Sequence, residues 1–331
     1  MPEISRILSA LDRFPDESGA LATLVRVEGS SYRRPGARLL ILKNGGRVGS
    51  ISGGCLEDDV VARAQRVIAG NQVETAVYDT TSENDLVWGV GLGCQGVVHI
   101  FIEPLPRARP HWVTVLGENL RACRNTALTV VHGGERALGT GITREMPDGV
   151  SPDHVFQEVI SAPSSLVIFG GGDDVRPLVR MAKELGWRVT VADSRPAYAA
   201  VSRFPEADAV VLVGPADAVV NLVADHTTFV VIMSHRYVDD LHFLRQLLPL
   251  PLAYLGLLGP RKRTDRLLAE LRRDGFVPDQ SMLARLHAPV GLDLGGNTPE
   301  TVALSTLAEI QGCLSRRSPI HLRDRTAPIH G

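Results

Sequence analysis

The sequence is poor in sulfur, poor in aromatics and nearly without net charge. Four cysteines occur in 331 residues, Cys55, Cys94, Cys123 and Cys313, widely spaced and with no CxxC pair. That excludes a disulfide scaffold and a self-contained zinc ribbon, and it fits a reducing, cytoplasmic setting. Thirty-five Lys and Arg stand against 37 Asp and Glu, a formal charge of −2, so nucleic acid is not an expected partner. No apolar run approaches the ~18 residues of a bilayer span, so no membrane association is expected. The opening segment MPEISRILSALDRF carries acids and a helical period, unlike a secretory signal. What remains is an ordinary globular composition, 44% hydrophobic and 22% charged, long enough for two domains with a core each.

The first half reads as α+β. Ile4, Ile7, Leu8 and Leu11 make one face of a helix over 4–14. Strands are expected at 20–27, 38–42 and 48–51, the last two joined through Asn44-Gly45-Gly46, a hairpin turn signal. A helix following Cys55 stripes Leu56, Val60, Ala64, Val67 and Ile68, and stops at Gly70-Asn71. Strands near 73–78 and 97–102 follow, then a hairpin across Gly133-Gly134. A polar linker over 146–164, with a short helical piece near 155–160, is expected to separate the halves. Beyond it, apolar strands at 166–169, 189–192, 209–213, 229–233 and 253–257 alternate with helical patterns at 173–185, 216–224, 237–248 and 260–273. That rhythm specifies a Rossmann-like, doubly wound parallel sheet. Thr298 is the expected N-cap of a last helix over 299–314. The division expected is therefore 1–162, 163–314 and a flexible tail over 315–331.

Three constellations carry chemistry. In the first, Gly170-Gly171-Gly172 turns a strand into a helix. Gly170 would allow the tight turn, and Gly172 would let a phosphate approach the helix start at Asp173. Asp193 ends the next strand, where a carboxylate would bond a ribose hydroxyl. Arg195 would pair a 2′-phosphate or a surface acid. Against a dinucleotide stand Val175 at the third glycine position and the negative pair Asp173-Asp174. The second constellation is Ser234-His235 with Gly259-Pro260-Arg261-Lys262-Arg263, both beyond strand carboxyl ends. Bases opening a helix oppose its dipole and need compensation, so this start reads as a phosphate clamp or as a solvated basic first turn. On the first reading His235 and Arg261 line the same cleft as the glycine turn. The third is Gly53-Gly54-Cys55, paired with Gly91-Leu-Gly93-Cys94. Both thiols are glycine-framed, and a thiolate is a nucleophile and a soft-metal ligand. Cys123 and Cys313 fall on helical patterns and are expected in the core.

With those residues in view, the chain resembles the XdhC/CoxI family of accessory proteins for molybdenum hydroxylases such as xanthine dehydrogenase. In the first half the likeness runs through Glu28-Gly-Ser-Ser-Tyr-Arg-Arg-Pro-Gly36, Gly49-Ser-Ile-Ser-Gly-Gly-Cys55-Leu-Glu57, and Gly91-Leu-Gly-Cys94 leading to Phe101-Ile-Glu103-Pro104. In the second it runs through Asp193-Ser-Arg195-Pro196, Arg203-Phe-Pro205, Met233-Ser-His235, Tyr254-Leu-Gly-Leu-Leu-Gly259, His287-Ala-Pro-Val-Gly291-Leu-Asp293 and Thr298-Pro-Glu300 with Ala308-Glu309-Ile310. The chain departs from the commonest family pattern at Asp173-Asp174, at Pro177, which is expected to bend or interrupt its helix, and at Asn297, where lysine is frequent.

The resemblance implies a carrier without turnover of its own. Such a carrier binds molybdenum cofactor in mono- or dinucleotide form, protects it during sulfuration, and delivers it to a molybdenum hydroxylase client. A cysteine desulfurase is the implied second partner, and a homodimer the default assembly. Cys55 and Cys94 would contact molybdenum or relay sulfur; Gly170, Gly172, Asp173, Asp193, His235 and Arg261 would hold the rest of the cofactor. The competing readings are an NAD(P)-dependent oxidoreductase using the Rossmann half, and an interaction scaffold that binds no small ligand.

Overall fold

The structure, a computed structural model, describes residues 3–326 apart from 55, 80–95, 135–137, 218, 220–224 and 226. The chain divides into two compact units, Met1–Ala162 and Pro163–Gly331.

In the first unit, helix α1 (Glu3–Arg13) leads into strands β1 (Gly19–Gly29), β2 (Arg38–Leu42) and β3 (Arg47–Gly49). Helix α2 (Glu57–Gly70) follows, then β4 (Glu74–Asp79), β5 (Gly96–Leu105), α3 (His111–Arg121), β6 (Thr126–Val131), β7 (Gly139–Ile142) and β8 (Val155–Ile160). The first five strands form an antiparallel sheet in the order β3-β2-β1-β5-β4. Side-chain alternation sends Ala20, Ala22, Leu39 and Ile41 to the face covered by α2 through Val60, Ala64 and Val67. Leu21, Leu40 and Leu42 go to the opposite face, with Ile7 and Leu11 of α1 and Trp112 and Leu116 of α3. With both faces covered, β2 is buried along its whole length, so Leu39 to Leu42 are continuously apolar instead of alternating, and the buried Arg38 that opens the strand is paired with Glu158.

Two local expectations fail here. Residues 155–160 are not a linker with a helical piece; they form β8, which pairs with β6 on the side opposite β7. Six partners along β6 outweigh the weak local preference of Val-Phe-Gln-Glu-Val-Ile. Cys123 is not core: it lies just past α3, exposed, in a left-handed conformation with φ +52°.

The second unit alternates β9 (Ser165–Phe169), α4 (Val175–Glu184), β10 (Arg188–Asp193), β11 (Ala209–Leu212), β12 (Thr228–Ile232), α5 (Tyr237–Leu247), β13 (Tyr254–Leu257) and α6 (Arg261–Arg273). It closes with α7 (Gln280–Ala284), β14 (Leu286–His287) and α8 (Pro299–Ser315). The sheet is parallel throughout, in the order β11-β10-β9-β12-β13-β14, which is the Rossmann order 3-2-1-4-5-6. Leu166 and Ile168 pack under α4 and α8, whereas Val167 and Phe169 pack under α5 and α6. Thr298 caps α8 as expected, its side chain accepting from the Thr301 N–H. Cys313, on the same helix, packs at the margin of this core and is only partly buried.

Pro177 neither bends nor interrupts α4. The helix begins at Val175, so Pro177 is its third residue, where the N–H that proline lacks would have no intrahelical acceptor. The expected helix start at Asp173 is corrected by two residues: residues 172–174 form the turn ahead of the helix. The short strand β14 has no counterpart in the sequence pattern, because two residues carry no periodicity. Among the described residues no helix is long and apolar enough to cross a membrane.

Candidate functional site

The strand order reverses between β9 and β12, and ligands of open α/β sheets bind outside the strand carboxyl ends at such a point. Gly170 follows β9 and Ser234-His235 follow β12, and the two segments are tied by the Met233 N–H donating to the Phe169 carbonyl at 2.7 Å. Gly170 has φ +133°, and a Cβ there would fall on the Met233 carbonyl. At Gly171 a Cβ would lie 2.6 Å from the Tyr198 carbonyl oxygen. These glycines serve close backbone packing on two sides.

Asp193 does not wait for a ribose. It is 3% exposed, and its Oδ2 accepts from the Gly171 N–H at 2.7 Å and Arg195 Nη2 at 2.8 Å. Its Oδ1 accepts from the Arg195 backbone N–H at 2.8 Å and Nε at 2.9 Å. Burial pushes this carboxyl upward, but the Arg195 fork and the two backbone donors outweigh it and hold the pKa below the ordinary value. All four lone-pair positions are therefore used inside the protein, and one donor of the glycine turn, the Gly171 N–H, is committed to Asp193.

The Asp173-Asp174 pair is matched by cations. Asp173 takes Arg203 Nη2 at 2.9 Å, and the same nitrogen donates to the Gly171 carbonyl at 3.2 Å. Asp174 takes His235 Nε2 at 2.7 Å. Tyr198 lies beneath both arginines, 3.6 Å from Arg195 and 5.0 Å from Arg203, ring centroid to guanidinium carbon. His235 itself has φ +59°, which turns its ring back toward the glycine turn. The bond to Asp174 raises the His235 pKa against a smaller opposing effect of burial.

The raised value fixes a pH dependence. Stability from the His235–Asp174 pair is fully present below the unfolded histidine pKa and is lost as pH rises through the higher folded one. The His235 ring is expected to titrate above a free histidine in an NMR titration and to fall back in Asp174→Asn. An unshifted ring in the parent protein would refute the pairing.

A cleft of about 360 Å³ opens beside this turn, lined by His235, Leu258, Gly259, Pro260, Arg263, Pro289 and Val290. The cation it presents from α6 is Arg263. Arg261 is exposed and is not part of the lining, so the structure brings His235 together with Arg263 and leaves Arg261 outside. The compensation that a basic helix start needs is supplied by Asp240, 1% exposed, which pairs with Arg263 at 2.5 Å and also accepts from the Ser234 hydroxyl. From the basic run 261–263 the sequence reading singled out Arg261 where the structure uses Arg263, and it gave no role to Asp240 or Arg203. One signal was there: Asp239 and Asp240 fall in register with the buried Phe243, Leu244 and Leu247 of α5, and an acid in an apolar stripe needs a partner.

In the first unit, the Gly53-Gly54 turn is framed by Glu57. Its carboxylate accepts from the Ser50 hydroxyl at 3.0 Å, the Ser52 N–H at 2.9 Å and the Ser52 hydroxyl. The Ser52 oxygen in turn accepts from the N–H groups of Gly54 and Leu56, at 3.1 and 3.2 Å. Burial pushes Glu57 up, yet the serine donors leave its pKa lowered. The Tyr32 ring, exposed, lies 3.8 Å from where a Gly53 Cβ would be. Cys55 and Cys94, the expected molybdenum contacts, lie outside the described residues. Among the described residues no group of three or more His, Cys, Asp or Glu side chains is arranged to hold a metal.

Residues 166–310 match the XdhC Rossmann domain, and residues 15–79 match the XdhC and CoxI family model. The chain is 34% identical over 321 residues to a probable xanthine dehydrogenase subunit of Bacillus subtilis, covering 89% of this chain and 92% of that one. The chain belongs to the XdhC and CoxI family. It is also 23% identical over 298 residues to the molybdenum cofactor insertion chaperone PaoD of Escherichia coli, covering 89% and 83% of the two chains. A crystal structure from Bacillus halodurans, described as a xanthine dehydrogenase, matches with TM-score 0.80 and 32% identity over 96% of this chain and 97% of that one. The two family matches fall one in each unit, and the ion-paired glycine turn lies inside the Rossmann match.

Proposed function

We infer that this chain is an accessory protein for a molybdenum hydroxylase, which binds molybdenum cofactor as cargo, shields it during sulfuration and delivers it to the client enzyme. The observation that carries this reading is the match along nearly the whole chain to relatives named for xanthine dehydrogenase and for molybdenum cofactor insertion. The second unit supports it with a cleft of suitable character. Apolar walls from Leu258, Pro289 and Val290 would cover a flat ring, and His235, whose protonated form Asp174 favours, would meet an anionic group. Cys55 and Cys94 are the thiols proposed to contact molybdenum or relay sulfur. A cysteine desulfurase, a homodimer and a cytoplasmic location belong to the same proposal.

Purification from a molybdate-fed host, with molybdenum measured by mass spectrometry and pterin by fluorescence after oxidation, tests it. Stoichiometric pterin is expected; none after cofactor addition overturns the reading. Cys55→Ala is expected to lower molybdenum retention while pterin remains bound, and unchanged retention removes that thiol from the site.

The Rossmann strand order favours one rival, an NAD(P)-dependent oxidoreductase. Saturation of Asp193 by Arg195 and Gly171 and the carboxylates at 173–174 speak against it. Titration with NADH and NADPH decides between them, micromolar binding supporting the rival. A scaffold that binds no small ligand would show neither pterin nor dinucleotide.

A further inference from the structure

A second side-chain cluster in the C-terminal unit takes no part in the cleft chemistry. Glu309, on α8, accepts from the Tyr254 hydroxyl at 2.5 Å and the Gly291 N–H at 2.9 Å through Oε2. Its Oε1 lies 3.1 Å from His287 Nδ1. Burial raises the Glu309 pKa, but these donors outweigh it and leave the pKa lowered, so the carboxylate is ionised near neutrality. In the neutral ring, an ionised acceptor at Nδ1 fixes the proton there and leaves the Nε2 lone pair open. The His287 ring is further held by stacking on Tyr254, with centroids 4.3 Å apart. One helical turn beyond Glu309, Cys313 places its Sγ 3.9 Å from that Nε2.

The order is thiol, imidazole base, orienting carboxylate, the arrangement that activates a weak nucleophile. Cys313 is part-exposed, so a small reagent reaches it. Burial and the Glu309 charge both raise its pKa, so the resting thiol keeps its proton and depends on a neighbouring base to react. His287 is that base.

We propose that Cys313 is a base-assisted thiol that exchanges with small disulfides, a modification site separate from the proposed cofactor cleft. In the step, the Cys313 proton passes to His287 Nε2 as sulfur attacks one sulfur of the disulfide. The disulfide bond breaks, and the leaving thiolate takes the proton back from Nε2. The products are a mixed disulfide on Cys313 and one released thiol. Cys313 is oxidised and half of the disulfide is reduced, so no other redox partner enters. The inference is independent of the cofactor reading. One structural link does exist: Glu309 also holds Gly291, the residue after Val290 in the cleft wall.

The test treats the full-length protein with oxidised glutathione at neutral pH and follows each cysteine by peptide mass spectrometry. Cys313 is expected to be capped, and His287→Gln to slow that capping by about tenfold or more, in keeping with loss of a general base. Glu309→Gln is the second arm. Its amide would donate to Nδ1 and move the ring proton to Nε2, so the same fall is expected from a nearly isosteric change. The exposed Cys123 is the internal reference, with an unchanged rate in both variants. If Cys313 stays uncapped while Cys123 reacts, or keeps its parental rate in both variants, the proposal is overturned.

Discussion

Gly170→Ala is expected to cost the C-terminal unit about 4 kcal/mol, a large share of the roughly 5–15 kcal/mol that holds a typical domain folded. Two penalties add. The backbone sits at φ +133°, a conformation that costs a residue with a side chain roughly 1–3 kcal/mol. The new methyl would also fall on the Met233 carbonyl, backbone against backbone, with no flexible side chain to give way. Relief would require β9 and β12 to separate where the Met233 N–H meets the Phe169 carbonyl, and overpacking of that kind costs about 1–3 kcal/mol. Gly45→Ala is the control: its φ is +90°, but nothing lies within 4 Å of a Cβ there, so only the conformational penalty applies. Urea unfolding of both variants checks this. Equal midpoints for the two would show that the strand-end contact is not tight.

Asp193→Ala is expected to destabilise by about 3 kcal/mol. The substitution strips the acceptor from the Gly171 N–H and from three Arg195 donors at once. An orphaned buried donor costs about 1–3 kcal/mol, and hydrogen bonds to a charged group contribute about 1.5–3 each when intact. Arg195 is one-third exposed, so water recovers part of its loss, and the total stays well below the sum. The pH dependence has a definite sign. The folded pKa of Asp193 lies below its unfolded value, so its contribution is fully present above the unfolded pKa of about 3.9. It is lost as pH falls through the folded value. The stability gap between the parent and the alanine variant should therefore be flat from about pH 6 to 8 and shrink below about pH 4. A gap that widens on acidification would contradict the assignment.

Much of the fold is legible in the residues. The apolar strands 165–169 and 228–232, the helical stripes between them and the glycine turn specify a parallel Rossmann sheet, because burial on both faces demands continuous hydrophobicity. The N-cap Thr298 and the hairpin around Gly45 follow from equally local chemistry. What stayed hidden depends on partners distant in sequence. Residues 155–160 became a strand only because β6 offered an edge. Cys123 left the core because α3 ends before it, and Pro177 proved harmless because of where α4 begins.

The candidate site divides in the same way. Which residues gather at the switch point, Gly170 to Asp174, Asp193, His235 and the basic start of α6, was set by sequence, since each sits at the end of a strand whose order follows from the βα rhythm. What they do to one another was decided only by the tertiary structure. Asp193 closes on Gly171 and Arg195, Asp174 on His235, Asp173 on Arg203, and buried Asp240 on Arg263, 23 residues later in the chain. A charge in a sequence is only a potential. Its pKa, and whether it meets a ligand or another side chain, depend on what lies within a few ångströms once the chain has folded, and distance in space is the one quantity the order of residues does not state.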